Sequence, residues 1–178
     1  MTTVSALGAE RLTGVQLGAL ADELGELLVD AVEGGASVGF LAGLDRGAAA
    51  RWWRGRAADV DAGRVATWAV REGGRVTGTV SLAYADKPNA RHRAELVKLL
   101  VHREARGRGL GRSLLALAER EAARAGVTLL LLDTRTDSPA ESLYASAGWT
   151  RLGVVPDHAA DPAGALRPTT LFYKAIGA

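Results

Sequence analysis

Apolar residues at Leu20, Leu24, Leu27, Leu28 and Ala31 recur with helical spacing behind a candidate cap at Thr13, which predicts an amphipathic helix over residues 14–33. The segment "GGASVGF" interrupts the pattern, and a second helix is expected from Asp45 to about Ala62, closed by Gly63. Residues 65–71 and 75–85 are rich in Val, Thr, Trp and Tyr and flank "EGGR", the signature of a β-hairpin. "RAELVKLLV", residues 93–101, reads as the next strand. Leu110, Leu114, Leu117, Ala118 and Ala122 then mark a helix that ends at Gly126. The apolar run "VTLLLLD" is a buried strand. "SPAESLYASAG" is a short helix capped by Ser138 with Pro139 at its first position, and "TRLGVV" and "TTLFYKA" are the last two strands. This order implies an α/β protein whose mixed sheet carries helices on both faces. "PDHAADPAGALRP" reads as the only long loop, and such loops are often functional.

Length and composition narrow the classes. The 178 residues fit one domain spanning 1–178 and suffice for a real core. Absence of cysteine removes disulfides, thiolate metal sites and a cysteine nucleophile, and agrees with a reducing compartment. The first thirty residues lack a basic start followed by an apolar core, and the longest apolar run is too short to span a bilayer, so the expectation is a cytoplasmic protein without membrane association. Although the pI is about 9.3, the net charge is only +2 and acids alternate with arginines, which argues against a nucleic-acid partner. Positive charge concentrates only at Arg103, Arg106, Arg108 and Arg112.

That concentration belongs to "EARGRGLGRSL", residues 104–114. A dinucleotide fingerprint needs a third glycine where Arg112 stands, and a phosphate-binding Walker loop needs glycine and lysine where Arg106 and Arg112 stand. A disordered Arg-Gly tract would not sit between a strong strand and a strong helix. Two readings remain: a glycine-rich turn with solvated arginines, and a pyrophosphate cradle in which backbone N–H groups, the positive end of the following helix and arginine side chains converge on an anion.

The pattern Arg106-x-x-Gly109-x-Gly111 between a strand and a helix, followed downstream by "ESLYASAGW", resembles the GNAT acetyltransferases over the whole chain. The resemblance implies a GNAT fold with a mixed, mostly antiparallel sheet, acetyl-CoA as acetyl donor, and N-acetylation of a small-molecule amine. It places the donor against Arg106, Gly107, Arg108, Gly109, Leu110, Gly111 and Arg112, and against backbone groups of Leu99, Leu100 and Val101. "GGASVGF", with Gly35, Ser37 and Phe40, then lines the acceptor site together with Glu95, Asp133 and His158. Further likeness in "KPN", "LDT" and "LRPTTLFYK" points to members that inactivate amino-acid-like toxins or antibiotics, and family habit suggests a homodimer. One departure stands at Asp137, where many GNAT enzymes place an asparagine that touches the pantetheine arm. The Ser138 hydroxyl is a candidate substitute, with helix capping as its other task.

Acetyl transfer needs a neutral amine, stabilisation of a developing oxyanion and a proton for the departing thiolate. Tyr144 is the candidate acid, and its alternative is a core tyrosine with a satisfied hydroxyl. Reference pKa values of about 10 for a phenol and about 8.5 for a thiol make full transfer uphill by roughly 2 kcal/mol, so a late transfer suffices. Glu95, set in an apolar strand, is either a base with a raised pKa or a structural partner of Arg93 or Lys98. Asp133, at the carboxyl end of a strand, is a base, an anchor for the substrate ammonium or a loop cap. His102 and His158 are weaker candidates, and scattered histidines predict no metal site. Trp52 and Trp53 belong either to an interface or to the core. The competing class is a non-catalytic acyl-CoA sensor or antimetabolite-sequestering module that keeps the cradle without turnover.

Overall fold

The computed structural model describes residues 8–177. Seven strands form one sheet in the order β1-β2-β3-β4-β5-β7-β6: β1 (Ala9–Arg11), β2 (Val65–Glu72), β3 (Arg75–Tyr84), β4 (Arg93–Val101), β5 (Leu129–Arg135), β6 (Thr150–Ala160) and β7 (Leu166–Ala175). Only β4 and β5 run parallel, so the sheet is mixed and mostly antiparallel. The β2–β3 turn places both Gly73 and Gly74 at positive φ, the requirement of a tight two-residue hairpin.

Helices cover both faces. On one lie α1 (Gly14–Ala19), α2 (Ala21–Glu33), α3 (Arg46–Arg54) and α4 (Ala57–Asp61); on the other lie α5 (Leu110–Arg124) and α6 (Pro139–Ser146). The split follows the two-residue period within β2, whereas register shifts in β3 and at Lys98 in β4 carry Val76 and Leu100 to the face opposite Leu82 and Leu96. Trp68, Val70, Leu82, Leu96, Leu130, Leu132 and Phe172 pack with α5, whereas Ala69, Val76 and Leu100 pack with Leu17, Leu24, Leu28 and Trp53 of the first helices. Each fully buried Leu or Val contributes about 1.5–3 kcal/mol relative to exposure. The first helical layer is tight: a β-carbon at Gly25 would stand 2.9 Å from the Ala50 nitrogen, so α2 and α3 meet at backbone distance there.

Four expectations are corrected. Residues 14–33 form two helices, because Leu20 (φ −91°, ψ 4°) ends one and starts the next. Residues 45–62 divide likewise at Gly55–Arg56. The loop expected at 156–168 is a hairpin: β6 runs to Ala160, β7 starts at Leu166, and only a short turn organised by Asp161 joins them. Its prolines are accommodated by position, since Pro156 lies on an edge strand and Pro168 opposite a register shift between Val155 and Ala159. Finally β5 starts and ends two residues later than expected, at Leu129 and Arg135.

The feature that shapes the site is a parting of strands. β4 and β5 pair only at Arg93↔Leu129, Ala94↔Leu130 and Glu95↔Leu131; from there β4 continues along β3 to Val101, and β5 along β7 to Arg135. The β3–β4 register shifts between Thr79 and Ser81, opposite a stretch where Lys98 has φ +53°. A non-glycine residue in the left-handed region within a strand marks a bulge, which turns β4 away from its neighbour.

Candidate active site

Strand parity sorts the side chains around the gap. Ala94, Leu96, Leu130 and Leu132 belong to the α5 side, so Glu95, Leu131, Asp133 and Arg135 face the α1–α4 side. Lys98 joins them there: its Nζ lies 5.1 Å from the Trp52 ring and 6.0 Å from Phe40, and those rings meet edge to face at 5.5 Å. Trp52 therefore borders the cleft, while Trp53 is in the core with its indole N–H unpartnered.

Glu95 and Asp133 are exposed rather than embedded, and among the described residues neither forms an ion pair, with Arg93, Lys98 or any other cation. Partial burial, followed by the nearby Asp133 charge, pushes the Glu95 carboxyl above its ordinary range, and Lys98 offsets this in part. Burial pulls the Lys98 ammonium down, against the opposing pull of Asp133 and Glu95. These three groups share one electrostatic field without touching.

Tyr144 comes from α6, on the other face. Its ring is buried against Trp149 and Phe172, with centroids 5.9 and 6.1 Å away. The hydroxyl makes no hydrogen bond among the described residues, and it is absent from the fully buried unpartnered polar atoms, so it keeps some exposure. Burial, then the charge of Asp133, raises its pKa well above that of a free phenol. Tyr144 is thus a protonated phenol within electrostatic reach of Asp133.

At the foot of the gap lies the glycine and arginine turn. Gly107 (φ +75°) and Gly109 (φ +79°) adopt conformations that side chains resist, and a β-carbon at either would meet nothing within 4 Å. Gly109 is the N-cap of α5 and supplies no side-chain cap, in contrast to Thr13, Asp45 and Ser138 at α1, α3 and α6. No acid occupies the first turn of α5. The four arginines divide. Arg103 pairs with Asp30 and Arg108 with Glu72, whereas Arg106 donates only to the Val101 carbonyl and Arg112 to the Ser146 hydroxyl. Open N–H groups, open space and two arginines without carboxylate partners fit a pyrophosphate. Leu110 is buried under this turn, and a β-carbon at Gly111 would stand 3.6 Å from Leu143 and 3.7 Å from Val101, in ordinary contact. Leu99, Leu100 and Val101 lie on the freed end of β4.

Other expected residues have different surroundings. The Ser138 hydroxyl accepts from the Glu141 N–H at 3.2 Å and so caps α6. Asp137 is exposed at φ +59°. His158 is corrected from a loop over the cleft to an exposed position on the edge strand β6. His102 accepts from the Glu104 N–H and lies 3.6 Å from Asp30, away from the carboxylates of the gap. Gly35 lines a pocket of about 390 Å³ together with Val32, Leu44, Arg135 and Pro162. Ser37 reaches the Ala160 carbonyl at 3.5 Å, which brings the "GGASVGF" loop to the β6–β7 turn. Sequence reading missed Lys98 and Arg135. The bulge has no sequence signal, but Arg135 follows Asp133 at the spacing that keeps a strand residue on the same face.

The defining pattern of the Acetyltransferase (GNAT) family matches residues 44–149. The chain belongs to that family. Among solved structures, this GNAT chain is similar to a ribosomal-protein-alanine N-acetyltransferase from Brucella melitensis at 25% identity, covering 94% of this chain and 99% of that one, with a TM-score of 0.73. It shares its fold with yncA from Salmonella typhimurium, solved with its cofactor acetyl-CoA (21% identity, 98% and 94% covered, TM-score 0.72). The same holds for a GCN5-related N-acetyltransferase from Kribbella flavida (21% identity, 94% and 98% covered, TM-score 0.72). The chain is accordingly an acetyltransferase of the GNAT family, and acetyl-CoA is the cofactor bound to its structural relative yncA. Among the described residues, no helix is long and apolar enough to cross a membrane.

Proposed function

We propose that this acetyltransferase modifies the primary amine of a small, amino-acid-like molecule, in the manner of a resistance or detoxification enzyme. What supports the proposal is that Glu95 and Asp133, without ion-pair partners among the described residues, share one side of the parted strands, while Tyr144, whose hydroxyl has no partner among those residues, comes from α6 on the other face within electrostatic reach of Asp133. The likeness of "GGASVGF", "LDT" and "LRPTTLFYK" to the tabtoxin resistance protein supports the substrate class, with tabtoxinine-β-lactam as the example.

Acetyl-CoA supplies an acyl group already activated as a thioester. Arg106, Arg112 and the N–H groups from Gly107 to Gly111 would hold its pyrophosphate, and backbone groups of Leu99 to Val101 would receive the acyl end. Glu95, the carboxylate with the raised pKa, takes the ammonium proton directly or through water. Asp133 anchors the ammonium. With acetyl-CoA bound, the amine nitrogen would bond to the thioester carbon as the C–S bond breaks, Tyr144 would give its proton to the departing thiolate, and the proton still carried by the acylated nitrogen would pass through water to restore the phenol.

Thiol release from acetyl-CoA, measured with tabtoxinine-β-lactam, other amino acids, aminoglycosides and polyamines, tests the acceptor class. Release with none of them, from protein that acetyl-CoA protects against thermal unfolding, would favour the non-catalytic sensor instead. With a confirmed acceptor, kcat/KM is expected to rise with pH through a group above the ordinary carboxylate range, because the base acts only when deprotonated and its pKa is raised. Glu95→Gln is expected to abolish that limb and keep the limb that belongs to the amine itself.

A further inference from the structure

We propose that Arg135 is the anion subsite of the acceptor pocket, so that the enzyme selects amines that also carry a carboxylate or a comparably placed anionic group. This deepens the proposed function and rests on its assignment of the acceptor to the α1–α4 side. Arg135 is the last residue of β5 and shares a face with Leu131 and Asp133. Leu131 marks the apex where β4 and β5 part; Asp133 lies on the freed arm, and Arg135 at its end. With about 3.3 Å per strand residue, the Asp133 and Arg135 Cα atoms stand about 6–7 Å apart. A short acid and a long guanidinium at that spacing can hold the two ends of a zwitterion, the ammonium nearer the apex and the carboxylate nearer the mouth.

The pocket's charges support the assignment. Arg135 has no carboxylate partner among the described residues; one Nη donates to the Gly35 carbonyl at 3.3 Å, which fixes the side chain and leaves most of the guanidinium donors unused. Asp161, also in the lining, directs its oxygens at the Ala165 N–H (3.0 Å) and at Arg167 (2.8 Å). Glu33 lies 3.5 Å from Arg103. Lys98 sits among Glu95, Asp133 and Trp52, and Arg56, 5.7 Å from the same indole ring, pairs with Asp59. Among the described residues, Arg135 is therefore the one basic residue of a pocket whose acids, Glu33 and Asp161, are engaged by Arg103 and Arg167 and whose apolar wall is Val29, Val32, Leu44 and Pro162. A planar fork in a partly apolar recess suits bidentate capture of a carboxylate, and the apolar wall suits an uncharged side chain beside it.

The test compares amino acids with their decarboxylated counterparts: L-leucine with 3-methylbutylamine, and L-methionine with 3-(methylthio)propylamine. In thiol-release assays the wild-type enzyme is expected to prefer the acid of each pair. Arg135→Gln is expected to lower kcat/KM for the acids by at least about 30-fold, while leaving that for the amines and the KM for acetyl-CoA unchanged. Arg135→Lys should recover part of the loss. Equal use of both members by the wild type, or an undiminished preference in Arg135→Gln, would overturn the subsite. Calorimetric titration of the CoA-saturated protein separates this from failure of acetyl transfer. If L-leucine or L-methionine binds the wild type but not Arg135→Gln, the subsite stands even without thiol release; if neither amino acid binds the wild type, it falls.

Discussion

Replacing Tyr144 by phenylalanine is expected to lower kcat by roughly 10²–10⁴-fold, the range in which a positioned proton donor contributes. The KM for acetyl-CoA and the melting temperature should stay as they are. The stability expectation follows from the hydroxyl's lack of a partner: its removal orphans no donor or acceptor, and the ring keeps its contacts with Trp149 and Phe172. Because burial and Asp133 both raise the phenol's pKa, Tyr144 remains protonated throughout the neutral range, and the loss in turnover should be independent of pH there. Steady-state thiol release at saturating acetyl-CoA, with thermal melts of both proteins, measures each part. Full turnover in the variant would end the assignment of Tyr144 as the acid.

The second large effect is expected at Asp30, which touches no part of the proposed chemistry. This buried carboxylate near the end of α2 accepts from the Arg103 backbone N–H at 3.0 Å and from its guanidinium, and the Asp30 carbonyl accepts from the same side chain at 3.2 Å. Arg103 opens the turn that leads into Arg106 and Gly107, so one residue clamps the helix to the donor loop. Asp30→Ala leaves the part-buried Arg103 N–H and the guanidinium without their acceptor and is expected to cost about 2–3 kcal/mol, or about 4–12 °C in Tm for a chain of this size. It should also raise the KM for acetyl-CoA by loosening the loop. Asp30→Asn, which keeps an acceptor, should fall between. Glu33→Gln removes only an exposed contact of 3.5 Å and should change neither quantity. Urea titrations and donor saturation curves distinguish the three.

What the sequence reveals here depends on the scale of the physical signal. Binary pattern places the hairpin, the strand–turn–helix unit at 93–124 and the apolar strand ending in Asp133, because each is set by burial over several residues. β1 is three residues long, and its "AER" carries no period; it exists because β2 offers an open edge, where Ala9 pairs with Val70. The break at Leu20 uses neither glycine nor proline and comes from packing against the sheet. Three prolines made 156–168 read as a loop, although an edge position and a register shift absorb them. The donor site is legible because glycines at positive φ must be written into the sequence. The acceptor side is less so: Lys98 owes its place to a bulge, and Arg135 was cut off by ending its strand at Asp133, although the two-residue period already assigned it to that face.

The parting of β4 and β5 has a consequence for the lifetime of the folded chain. A sheet that gives up its central ladder after three pairs leaves backbone groups of β4 and β5 without partners from each other, and a ligand wedged between them supplies what the neighbouring strand does not. Binding of that kind adds directly to folding stability, by about 2.7 kcal/mol when the ligand stands at a hundred times its Kd. If acetyl-CoA is that ligand, chains that hold it are expected to resist unfolding and proteolysis better than chains deprived of it, which ties the abundance of the protein to its donor.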